Sequence, residues 1–156
     1  MKKYPLLTLL LVVFLTIPAG ASVTKKEALK IAKQYAPKSY SLSESDKDGV
    51  HYEFEFKNKK KTCEFEIHIK IRDGRVILYK WEHEKAHPAC CYKVSKAKAK
   101  TAVLAKFKNA KIKSVTRQTE DGSHILRVTF TTPEGRGSAD VHGTNGKITQ
   151  WTIRPR

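Results

Sequence analysis

The residues best suited to chemistry crowd one point of this 156-residue chain. His83, His87, Cys90 and Cys91 fall within nine residues, with Pro88 among them. Imidazole nitrogen and thiolate sulfur both suit zinc or copper, and histidines four apart on a helical turn can chelate one ion. Yet no Cys-x-x-Cys pair and no second matching cluster accompanies them, and adjacent cysteines rarely serve one ion. The expected state is a linker whose histidines hold no metal, in a protein with no cofactor. The third cysteine is Cys63. A disulfide from Cys63 to Cys90 or Cys91 would close a loop of nearly 30 residues, worth about 3 kcal/mol by chain entropy. A vicinal Cys90–Cys91 bridge would be strained, and three reduced thiols is the remaining alternative.

Enzymatic constellations are harder to assemble. Cys63 or Cys91 could be set beside His68 or His142 as a thiol dyad, but no local signature supports the pairing. The chain has no Gly-x-Ser-x-Gly elbow, no phosphate-binding glycine loop and no His-Glu-x-x-His. The acidic residues Glu53, Glu55, Glu64 and Glu66 alternate with apolar ones, as they do on a solvated sheet face. No catalytic residue is assigned and no enzyme is expected.

Charge is the next constraint. There are 31 Lys+Arg against 15 Asp+Glu, a formal net charge of +16. Lys57, Lys59, Lys60 and Lys61 crowd one hairpin tip, and Lys96, Lys98, Lys100, Lys106, Lys108, Lys111 and Lys113 surround a second-half helix. Lysine gives solvated point charges rather than the planar forks that read phosphates or bases. A solvated surface is the first expectation, with an anionic envelope polymer as the alternative partner and no nucleic acid.

The address explains that choice. Lys2 and Lys3 precede an apolar run from Leu6 to Ile17, then Pro18 and the small residues Ala19-Gly20-Ala21. This is the layout of a cleaved signal peptide over residues 1–21. The run is shorter than the roughly 20 residues of a spanning helix, though an uncleaved anchor is the alternative. No later segment is apolar enough to cross a membrane as a helix. The chain is expected to be extracytoplasmic, periplasmic or secreted.

The elements that position these residues recur along the chain. Thr24 with Glu27 makes a capping box ahead of Ala28, Ile31, Ala32 and Tyr35, and Pro37 stops that helix. Ser95 caps a second stripe of Ala99, Ala102, Val103 and Phe107. Polar connectors with turn signals follow, Asp48-Gly49 and Asp121-Gly122. Period-two strands come next. Tyr52, Phe54 and Phe56 alternate with glutamates, Phe65, Ile67, Ile69 and Ile71 do the same, and Leu126, Val128 and Phe130 repeat the pattern. Asp73-Gly74 and Asn145-Gly146 then turn into last strands carrying Tyr79 with Trp81 and Trp151 with Ile153. A bulged glycine turn puts those rings, rather than Lys80 and Thr152, on the core face. The expected class is α+β, with two repeats (22–85 and 93–156, linker 86–92), each one helix followed by a three-stranded antiparallel meander.

Thr24 to Ala32, Tyr52 to Phe56 and Gly74 to Trp81 carry a resemblance, as do Ser95 to Val103, Leu126 to Phe130 and Gly146 to Ile153. The chain resembles the PepSY family, here as a tandem pair. The resemblance implies a non-enzymatic extracytoplasmic module that binds or restrains another exported protein or peptide, with a peptidase as one such partner. It brings no catalytic residues. The alternative is an envelope-associated accessory protein that binds an anionic polymer or a metal ion.

Overall fold

The computed structural model describes residues 22–83 and 88–156. The expected signal peptide, His87 and part of the expected linker lie outside the described residues. Helix α1 (Lys25–Tyr35) starts as its capping box requires: Thr24 Oγ1 accepts from the Glu27 amide at 3.3 Å, and Glu27 Oε2 accepts from the Thr24 amide at 2.8 Å. Those bonds, the backbone one foremost, hold the Glu27 carboxyl below its ordinary range. The helix stops where Ala36 turns extended ahead of Pro37. Helix α2 (Lys96–Lys106) is capped by Ser95, but lysine at its third position cannot return the bond. Each helix buries only small residues, Ala28 and Ala32 or Ala99 and Val103, so each axis lies close to the sheet beneath it.

Eight strands form that sheet: β1 (Tyr40–Asp48), β2 (His51–Asn58), β3 (Glu64–Lys70), β4 (Val76–Glu82), β5 (Lys111–Glu120), β6 (Ser123–Thr131), β7 (Gly135–His142) and β8 (Ile148–Pro155). Their order is β1-β2-β3-β4-β8-β7-β6-β5, and every neighbouring pair is antiparallel. The expected α+β pair of three-stranded meanders is therefore corrected. Among the described residues the protein is mostly β, one continuous eight-stranded sheet carrying two helices.

Two physical causes separate expectation from structure. The polar connectors after the helices are strands. Both sit at sheet edges, where a strand needs only one ladder and few apolar residues, and charge there discourages pairing with other chains. Both are also bulged, between Leu42 and Glu44 and between Ile112 and Ser114, so their inward residues lose the period of two. The second cause is the join. Strands β4 and β8 would be exposed edges if left apart; they pair instead, with Tyr79 opposite Ile153 and Trp81 opposite Trp151.

The turns set the registers. Asp121 and Gly122 both have positive φ, 47° and 73°, the conformation that a two-residue hairpin needs to match strand twist. Gly74 and Gly146 also have positive φ, and their amides donate back to the carbonyls of Lys70 and His142. The resulting bulges place Tyr79, Trp81, Trp151 and Ile153 on the helix side of the sheet, as expected. Two buried clusters lie there. One joins Ala28 and Ala32 to Phe54, Phe56, Ile67 and Ile69, and the other joins Ala99 and Val103 to Leu126, Val128, Phe130 and Val141. Tyr79 and Trp151 pack against both.

On the opposite, polar face, Arg127 forks onto Asp140, with Nε–Oδ1 and Nη2–Oδ2 both at 2.8 Å, and Nη2 also reaches Glu120 at 2.9 Å. These carboxylates, Asp140 foremost, push the guanidinium pKa still higher, and the guanidinium neutralises an Asp140 that is almost fully buried.

Candidate functional site

Each helix covers only its own side of the sheet, so the β4–β8 join is left between them. The uncovered strip is an open trough of about 730 Å³. Trp81, Trp151, Tyr79 and Phe65 form its floor, with Tyr35 and Tyr40 on one flank and Phe107 on the other. The rings hold one another by edge and stacked contacts. Trp151 meets Tyr79 at 5.9 Å and 83°, and meets Phe107 at 5.4 Å and 81°. Tyr35, placed on the buried stripe by sequence, is 46% exposed and stacks on Tyr79 at 6.2 Å instead.

Trp81 Nε1 donates to Tyr40 Oη at 3.1 Å, while Trp151 Nε1 is buried with no acceptor among the described residues. Burial, with the charge of Glu134 adding to it, pushes the Tyr79 hydroxyl up to about 12. Burial also raises Tyr40. Both phenols therefore stay neutral at physiological pH and offer amphipathic contact surface. Lys106, Lys108 and Glu134 complete the rim. An apolar floor with a few polar groups at its edge can grip a side chain or short segment.

The sequence-predicted residues fall elsewhere. All three cysteines are free thiols. Cys63 stands just before β3, where its carbonyl accepts from the Asn58 amide at 3.2 Å. Cys90 and Cys91 lie on a strap beside the β6 and β7 ends, fixed by bonds from the His124 amide to the Ala89 carbonyl and from Thr144 Oγ1 to the Cys91 carbonyl. Strands β4 and β8 separate these positions, about 14 Å at normal strand spacing, so the structure does not bring Cys63 to either partner. The sulfurs of Cys90 and Cys91 are 3.4 Å apart. His83 is not gathered with them into a ligand set among the described residues; its ring packs edge-on to Trp81 at 6.4 Å. Of the predicted basic residues, Lys106 and Lys108 reach the trough, Lys111 and Lys113 line a separate hollow with Arg136 and Arg156, and Lys57 pairs with Glu64 at 3.1 Å. Lys59, Lys60 and Lys61 form the exposed β2–β3 tip, and Lys96, Lys98 and Lys100 are exposed on α2.

Cys90 is the most accessible of the three thiols. It is exposed, and hydrogen bonds from Cys91 first and Thr144 second lower its pKa. A lowered pKa means more thiolate at a given pH, so iodoacetamide at pH 7.5 should label Cys90 ahead of half-buried Cys63. Peptide mapping after a short pulse checks the order.

No protein-family profile and no curated protein sequence matches the chain. Three solved structures show similarity. A candidate lipoprotein from Clostridium difficile 630 is 14% identical, with 84% of this chain and 93% of that one covered at a TM-score of 0.37. The Bacillus megaterium YpeB C-terminal domain is 16% identical over 87% and 67%, with a TM-score of 0.33. A BLIP-like protein from Bacteroides fragilis NCTC 9343 is 14% identical over 81% and 84%, with a TM-score of 0.32. At these scores the likeness carries no functional assignment. No helix among the described residues is long and apolar enough to cross a membrane.

Proposed function

We propose that this protein is a non-enzymatic, extracytoplasmic binding module that seats an extended segment of another exported protein in the trough between its helices. The observation that carries this reading is the gathering of both tryptophans of the chain and five further rings into one open apolar strip. Aromatic rings give large contact area at low entropic cost and dominate binding energy wherever they line a groove. Two lysines against one glutamate on the rim favour a segment with an acidic residue beside its apolar or aromatic anchor. The leader-like first 21 residues and the PepSY-like pattern support the exported setting, in which a peptidase or its peptide is one member of the partner class.

Because the chain holds only two tryptophans and both line the trough, intrinsic fluorescence reports on that site alone. Titration with an extended peptide of alternating aspartate and phenylalanine should change the emission saturably. The double reversal Lys106→Glu, Lys108→Glu should weaken the peptide about tenfold, a cost of ~1.4 kcal/mol, and the effect should shrink in high salt. Equal affinity for a lysine–phenylalanine peptide would count against the reading.

A second reading rests on a different surface. Lys111, Lys113, Arg136 and Arg156 line a hollow of about 730 Å³, suited to an anionic envelope polymer. Binding there would leave tryptophan emission unchanged and would fall steeply with salt.

A further inference from the structure

The polar face of the sheet, away from the trough, gathers two histidines and two glutamates. Alternation puts His51 and Glu53 of β2 and Glu66 and His68 of β3 on this face, and the pairing sets Glu53 directly across from His68. The two imidazoles stack at 4.7 Å with 14° between their planes. Both turn Nε2 towards the same carboxylate: Glu53 Oε1 lies 2.8 Å from His51 Nε2 and 3.8 Å from His68 Nε2. Glu66 Oε1 lies 2.5 Å from His68 Nε2. The rings are only 12% and 16% exposed, so packing holds them in place.

We propose that this group is a binding site for a divalent ion of the zinc type, held by His51 Nε2, His68 Nε2 and the Glu53 carboxylate, with Glu66 as fourth ligand. The three ligand atoms of His51, Glu53 and His68 all lie within 4.8 Å of one another. A tetrahedral zinc with bonds of 2.0–2.2 Å needs them about 3.3 Å apart, and the two rings must tilt out of their near-parallel stack for both Nε2 lone pairs to meet one ion. Two imidazole nitrogens select zinc, copper or nickel over magnesium and calcium, which take oxygen shells. His51 Nδ1 is buried with no partner, so Nε2 is the only engaged nitrogen of that ring. A bound ion would tie β2 to β3, strands whose other face carries Phe54 and Ile67 of the core.

The test is calorimetric titration of the purified, chelator-stripped full chain with zinc, and separately with calcium. One zinc per chain is expected, with no calcium binding. The double substitution His51→Gln, His68→Gln should weaken zinc at least 30-fold, while Cys90→Ser, Cys91→Ser should leave it unchanged. Circular dichroism of each metal-free variant confirms that the sheet is intact, and Glu53→Gln alone, which preserves both rings, should weaken zinc about tenfold. Cobalt in place of zinc should give visible absorption without sulfur charge-transfer bands. Absence of zinc binding, binding unchanged by the histidine pair, or binding lost with the cysteine pair would overturn the assignment.

Discussion

Phe54→Ala should cost about 4 kcal/mol, the middle of the range for buried phenylalanine, and should do so in one transition. Phe54 is fully buried on β2 and sits directly across from Ile67 on β3, beneath Ala28 and Ala32. Truncation removes a ring from a site whose neighbours are fixed by strand pairing on both sides, so the cavity cannot collapse. The consequence beyond β2 is the sharper part. Strands β4 and β8 are paired, and Tyr79 and Trp151 pack against both clusters. The side of the sheet that lacks the mutation should therefore unfold at the same temperature. Tm should fall by about 15 °C, with far-ultraviolet circular dichroism and tryptophan emission changing together. Two separated transitions, with only one moved, would contradict a single cooperative sheet.

Trp151→Ala should abolish most of the affinity for a trough-bound peptide, by at least 30-fold, the 2 kcal/mol scale of a central aromatic anchor. Trp151 lies in the middle of the trough and contacts Phe65, Tyr79 and Phe107 from three directions. Its loss therefore removes contact area and loosens the rings that remain. The same substitution destabilises the join, so Trp151→Phe serves as the companion variant: it keeps an aromatic plug and should retain the fold with a several-fold loss of affinity. Isothermal calorimetry with the acidic–aromatic peptide reads both. Undiminished binding by Trp151→Ala would move the site elsewhere.

Much of the frame was legible in the residues themselves. Thr24 and Glu27 announce a capped helix, the glutamate-alternating runs around Phe54 and Ile67 announce strands with one wet face, and Gly74 and Gly146 announce the bulged turns that aim the aromatic rings. What stayed hidden was hidden for physical reasons. Residues 40–48 and 111–120 are edge strands whose bulges at Leu42/Glu44 and Ile112/Ser114 erase the alternation. The joining of β4 to β8 depends on two exposed ladders meeting, which no local pattern encodes. The trough follows from that join: Phe107 keeps its place on the helix stripe, stacked on Phe130, while Tyr35 turns outward beside Tyr79 at the gap between α1 and α2. The convergence of His51, Glu53 and His68 depends on the β2–β3 register, which no local pattern encodes, whereas His83, His87, Cys90 and Cys91 are neighbours in sequence.

The most direct test of the trough is a nitrogen-15 correlation spectrum followed through a peptide titration. The chain has two tryptophans, so two indole N–H signals exist, and both belong to trough residues. Binding of the acidic–aromatic peptide should shift both signals saturably, together with the backbone amides of Phe107 and Lys108. A peptide that binds while both indole signals stay fixed, or that shifts only amides around Lys111 and Arg136, would contradict the account.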